Sequence, residues 1–205
     1  MTTIVTILTE GYADWETALL NAAARSYFNI DTRYATPGGK PVTSSGGLKV
    51  TPDLAVDDID VGAIDALVVN GGTAWSRPDA PDIGRVLIAA RDAGKTVAGI
   101  CDGTLALAKA GLLDGVAHTS NSTDNLTPTG YRGAAHYCGQ PDAVGVVHRL
   151  RHILQQLFQI RIEFRHFLGH FPQYGIRILH DQTYAHLFPI LICHALEGAS
   201  GLLTI

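Results

Sequence analysis

The chain has only three cysteines among its 205 residues, Cys101, Cys138 and Cys193. They cannot all pair with one another, and no two stand in a Cys-x-x-Cys spacing, which argues against a disulfide framework and against a zinc site. No uncharged apolar run reaches the ~18 residues that a membrane-spanning helix needs. The opening stretch MTTIVTILTEG lacks the basic leader and the small-residue cleavage site of a secretory signal. Charge is sparse, at 17% of residues, and slightly acidic, at −4. Nothing in that balance draws the chain to nucleic acid or to an anionic membrane. These absences lead us to expect a soluble, cytoplasmic protein with reduced thiols. The hydrophobic fraction, 46%, is that of an ordinary globular protein, and the length suits one α/β domain with an appendage.

Within residues 1–146 short apolar runs alternate with helical patterns. TIVTIL (Thr3 to Leu8), IDTRYAT, ALVVN (Ala66 to Asn70) and TVAGI read as strands. Asp14 is placed to cap a helix running to Phe28, with Leu19, Leu20 and Ala23 as its apolar face. PGGKP reads as a turn, and VTSSGGLKV as a hairpin around Gly46 and Gly47. APDIGRVLIAARDAG and TLALAKAGLL read as further helices. Strands alternating with helices predict a doubly wound, mostly parallel sheet flanked by helices, of the flavodoxin-like type. No internal repeat or low-complexity linker interrupts it.

The stretch VAGICDGTLALAKAGLL carries the chemistry. A buried strand runs into Gly-x-Cys-x-Gly and then into a helix, which is the setting of a nucleophile elbow. Gly99 and Gly103 flank Cys101 and let the neighbouring backbone come close. The helix N-terminus behind the sulfur is expected to favour thiolate over thiol. Backbone N–H groups of the turn, that of Asp102 among them, are placed to hold an oxyanion. Glu16 falls just past the carboxyl end of the first strand, where open α/β sheets form their ligand crevices. A carboxyl group beside a thiolate should have a raised pKa and can pass a proton to substrate.

Four stretches, GYADWETALL, VTSSGGLKVTPD, VVNGGTAWSRPD and GICDGTLALAKAGLLDG, resemble the ThiJ/PfpI superfamily, with its class I glutamine amidotransferase-like fold. The resemblance covers roughly residues 3–146. It implies that Cys101 is the reactive, easily oxidised cysteine, that Glu16 is the acid facing it, and that the Gly72 N–H completes the oxyanion site. It implies a homodimer, no cofactor, and a small electrophilic substrate for an amidase, hydrolase, glyoxalase- or deglycase-like enzyme. The alternatives are an oxidative-stress sensor and a ligand-binding regulatory domain. Where many relatives carry a histidine or an aromatic residue, this chain has Asn121. His118, three residues earlier, could take that place only if its strand set it over the elbow; the other reading is a packed strand-end histidine. Asn121 and His118 are therefore both candidate substrate contacts, and peptide hydrolysis is not expected without an imidazole beside the thiol. Asp102 is expected to point away from the sulfur in a strand-like geometry, where it could contact a polar substrate or a neighbouring chain.

Residues 147–205 depart from this pattern. They hold five arginines, no lysine and seven of the nine histidines. His166 and His170 have the i,i+4 spacing of helical metal ligands, but no His-Glu-x-x-His pattern accompanies them, so no metal site is expected. The abrupt change of composition is what a shift of reading frame would produce; a divergent C-terminal extension is the other reading. RLRHILQQLFQIRIEF is basic yet shows no helix-turn-helix, so DNA binding is not expected.

Overall fold

A computed structural model describes residues 2–138 and the backbone of Leu203–Thr204. Strand β1 (Thr3–Ile7) is central, and β2 (Asp31–Thr36) and β6 (Ala66–Val69) lie parallel on either side of it. Strand β5 (Leu54–Ala55) extends the β2 edge, while β7 (Thr96–Gly99) pairs with β6 and β8 (Leu203–Thr204) with β7. The order is β5-β2-β1-β6-β7-β8, a doubly wound parallel sheet. A separate hairpin joins β3 (Val42–Thr43) to β4 (Lys49–Val50) around Gly46 and Gly47, where the sequence pattern put it.

Period-two alternation divides the central strands between two cores. Ile4, Ala66, Val68 and Ala98 face Leu20 and Ala24 of α1 (Asp14–Tyr27). Val5, Leu67, Val69 and Val97 face the opposite side, where they meet α2 (Gly84–Asp92) and α3 (Gly103–Lys109) through Leu87, Ala90 and Leu107. Thr6 shares the α1 face, and its hydroxyl bonds to Asn21 Oδ1 at 3.2 Å, so the buried polar atom is satisfied.

Two local expectations are corrected. Asp14 is not the cap of α1. Ala13 holds that position, and Asp14 Oδ2 instead accepts the Gly46 N–H at 2.7 Å, tying the helix to the hairpin. Leu19 does not join the apolar face. It lies about 100° around the helix from Leu20 and is 56% exposed, and the buried face is completed by Glu16, Thr17 and Asn21. The 147–205 segment, whose two readings were a shifted frame and a divergent extension, and the His166–His170 pair lie outside the described residues, apart from the backbone of β8. Among the described residues no helix is long and apolar enough to cross a membrane.

Candidate active site

Three neighbouring strands, β1, β6 and β7, deliver their following loops to one edge of the sheet, and the site forms there. After β7 the chain turns sharply. Cys101 has φ +52°, a left-handed conformation that a side-chain-bearing residue enters only with strain, and Asp102 begins α3 behind it. The turn is pinned from the following segment. Thr104 Oγ1 donates to the Cys101 carbonyl at 2.6 Å, and Ser120 Oγ donates to Thr104 Oγ1 at 2.7 Å.

Close approach dictates two of the glycines. A side chain at Gly103 would strike the Val69 and Asn70 carbonyls, the latter at 3.1 Å, so α3 could not start so near β6. A side chain at Gly71 would meet the Glu16 carboxylate and Cys101 Cβ, the latter at 2.9 Å. The absence of that side chain makes the space that Glu16 and Cys101 share.

Glu16, in the first turn of α1, is only 5% exposed, and its Oε2 accepts the Gly71 N–H at 2.6 Å. Burial raises its pKa to about 7. Hydrogen bonds from Gly71 and with Cys101 oppose that rise, and the charge of Asp102 adds to it. Burial likewise pushes the Cys101 thiol up, helped by the negative charges of Glu16 and Asp102 and opposed by hydrogen bonds from Asn121 and the Asp102 N–H. The expected depressed thiol pKa is therefore corrected. The elbow does offer donors to the sulfur, but desolvation and two nearby acids outweigh them.

Asn121 stands where the imidazole of relatives was expected. Its Nδ2 lies 3.3 Å from Cys101 Sγ and 2.9 Å from Asp102 Oδ1. Asp102 is not strand-like. Its φ and ψ, −68° and −12°, are helical, its N–H faces the sulfur and its carboxylate reaches Asn121 and Asn125. His118 is withdrawn as a substrate contact. It is completely buried, Nδ1 donates to the Val116 carbonyl at 2.7 Å, and Nε2 is engaged by the Tyr131 hydroxyl. Tyr131 and Tyr137 pack edge-on against its ring, and burial holds its pKa low. The structure thus brings together Glu16, Gly71, Cys101, Asp102 and Asn121 and leaves His118 in the core.

Gly72, in the loop after β6, is bridged to Tyr12, and its N–H has no hydrogen-bond partner among the described residues. What the sequence reading missed is Asn70, which is fully buried. Its Oδ1 accepts from Thr17 at 2.6 Å, its Nδ2 donates to the Ala13 and Gly71 carbonyls, and its own carbonyl accepts from Trp75 Nε1. Asn70 thereby locks the Gly71–Gly72 loop to the start of α1. An amide directly after a fully apolar strand, before two glycines, is the signal that could have revealed it. Among the described residues no group of three or more His, Cys, Asp or Glu is arranged to hold a metal ion.

Known proteins resemble this chain in sequence and in fold. The DJ-1 superfamily protein Atu0886 from Agrobacterium tumefaciens superposes with a TM-score of 0.69 at 49% identity, over 71% of this chain and 78% of that one. The uncharacterized protease YoaZ of Bacillus subtilis (strain 168) is 34% identical over 134 residues, which are 61% of this chain but only 64% of YoaZ. The glutathione-independent glyoxalase DJR-1.2 of Caenorhabditis elegans is 29% identical over 105 residues, 50% of this chain and 56% of that protein. Residues 2–148 match the DJ-1/PfpI family. With the elbow cysteine, the buried glutamate and the doubly wound sheet in place, the chain belongs to the DJ-1/PfpI family.

Proposed function

We propose that this protein is a cofactor-independent enzyme in which Cys101 attacks a small, uncharged reactive carbonyl compound and Glu16 moves the proton. The observation that carries the reading is the Glu16 carboxyl, held by Gly71, hydrogen-bonded with Cys101, and poised to gain or lose a proton at about pH 7. As sulfur bonds to the carbonyl carbon, the C=O π pair moves to oxygen and the thiol proton passes to ionised Glu16. Glu16 then returns it to the alkoxide, leaving a neutral hemithioacetal. The Gly72 N–H is the free donor for the transient negative charge. With a 2-oxoaldehyde, a proton shift between the two carbons gives a thioester, which water releases as a 2-hydroxy acid.

The raised thiol pKa favours this reading over a peroxide sensor, which depends on a standing thiolate. The absence of an imidazole at Asn121 argues against peptide hydrolysis, because Asn cannot titrate. Glu16 and Asp102 make no salt bridge among the described residues, so the site repels anionic substrates. Pairing of two chains is part of the proposal, supported by Trp15 and Leu19, which stand 61% and 56% exposed on α1; light scattering after size exclusion reads it.

The test is a panel of methylglyoxal, glyoxylate, a peptide amide and casein, assayed with the wild type, Cys101→Ser and Glu16→Gln. We expect methylglyoxal to be consumed, glyoxylate to react at least tenfold more slowly and the peptides to survive. We expect both substitutions to lower turnover about a hundredfold or more. Peroxide-dependent oxidation of Cys101 with no turnover of any substrate would replace the enzyme reading with the sensor.

A further inference from the structure

The side chain of Asp102 moves no proton in the scheme above, yet it is well anchored beside the thiol. Its Oδ1 accepts two amide hydrogen bonds, from Asn121 Nδ2 at 2.9 Å and from Asn125 Nδ2 at 3.1 Å. Asn125 is itself fixed. It lies in α4 (Thr123–Leu126), which is capped by Ser122, whose Oγ accepts the Asn125 N–H at 3.1 Å.

We propose that Asp102 is a positioning residue, which holds the Asn121 amide in the one orientation that presents an N–H to the Cys101 sulfur. An ionised carboxylate only accepts hydrogen bonds, so an amide facing it must turn its NH2 group inward and its oxygen away. The Asn121 nitrogen carries two hydrogens. One is taken by Asp102 Oδ1, and the other points to Sγ, 3.3 Å away. If the amide were reversed, its oxygen would face both the carboxylate and the sulfur. The Asp102–Asn121 pair thus does for the sulfur part of what an imidazole would do. It supplies a donor to the negative charge, and this donor does not itself titrate. The charged groups that face the thiol are Glu16 and Asp102. The charge of Asp102 opposes thiolate formation, while the amide it holds favours it. The two effects have opposite signs and can be separated.

The inference rests on the reading of Cys101 as the nucleophile but not on any substrate, and its test needs no turnover. The rate of iodoacetamide alkylation at Cys101 is followed by peptide mass spectrometry from pH 5 to 10, in the full chain. Asn121→Ala is introduced into three backgrounds: wild type, Asp102→Ala and Asp102→Asn. In the wild type, loss of the donor is expected to move the alkylation midpoint up by about one pH unit, a roughly tenfold fall in rate at pH 7. In Asp102→Ala the amide is no longer oriented, and Asn121→Ala should shift the midpoint by less than a third as much. In Asp102→Asn an acceptor oxygen remains, so most of the Asn121→Ala shift should return. The midpoint of Asp102→Asn alone should lie below that of the wild type, because the charge is gone. A merely structural Asp102 would alter none of these differences. Equal Asn121→Ala shifts in all three backgrounds would overturn the role of Asp102, and no shift in the wild type would overturn that of Asn121. Asn121 is exposed and Asp102 half-buried, and circular dichroism checks that each variant is folded. A protein that passes this test yet turns over nothing loses the proposed enzyme activity and keeps the clamp.

Discussion

Glu16 keeps its proton up to about pH 7, whereas its ordinary value is 4.5. Below that ordinary value folded and unfolded chains are both protonated at this position, and Glu16 is neutral for stability. As pH rises from there the unfolded chain releases its proton first, so stability falls until the folded carboxyl ionises near 7. Above that the full penalty stands, about 3 kcal/mol from the difference between the two values. Glu16→Gln removes the titration and keeps groups able to pair with Gly71 and Cys101. It should therefore be more stable than the wild type at pH 8 by up to about 3 kcal/mol in urea titrations, and no more stable at pH 4. An equal effect at both pH values would show that Glu16 ionises normally. In the proposed mechanism the same proton governs activity. Glu16 acts as a base only when ionised, so kcat/KM for the carbonyl substrate should climb through about pH 7. It should fall again above the ordinary thiol range, once Cys101 has no proton left to give. Because the two groups are coupled, both limbs belong to the pair.

Gly103 shows at the scale of elements why the elbow's position was legible and its detail was not. The pattern strand, Gly-x-Cys-x-Gly, helix announces that α3 must start close against β6, and the structure shows the Val69 and Asn70 carbonyls filling the place of any side chain. In an open helix Gly→Ala gains about 1 kcal/mol. Here the methyl meets backbone that cannot step aside, so Gly103→Ala should instead lose about 1–3 kcal/mol. It should also slow Cys101 alkylation, since α3 carries the turn outward; an increase in thermal stability would contradict the packing. The same pattern could not foretell the thiol pKa. A helix N-terminus is visible in sequence, but the burial of Glu16 and the approach of Asp102 depend on residues brought together from three loops. The positions of Glu16 and Cys101 followed from strand ends. Asn125 and the Ser120–Thr104 contact are hydrogen bonds across the fold, and no local pattern marks them. His118 was legible only as two alternatives, and its ring joined Tyr131 and Tyr137 in the core.

In the molecule as a whole, the two faces of one sheet share a single set of strands, and the site rests on the loops that follow β1, β6 and β7. Leu67 is completely buried on the α2–α3 face, and Leu67→Ala should cost about 2–5 kcal/mol in denaturant unfolding. Its urea midpoint should fall while the pH dependence of Cys101 alkylation in the folded protein stays unchanged; a shifted alkylation profile would mean that the core sets the thiol chemistry directly. The far edge of the sheet has a different consequence. Ala98 and Gly99 of β7 pair with Leu203 and Thr204. Every group described around the thiol precedes Leu126, so during synthesis β7, the strand before Cys101, waits for its Leu203–Thr204 partner. At ~5–20 residues per second, the roughly 80 residues in between take on the order of 4–16 s. Until Leu203 and Thr204 arrive, the edge of β7 just before Cys101 lacks that partner and can pair with another nascent chain on the same message.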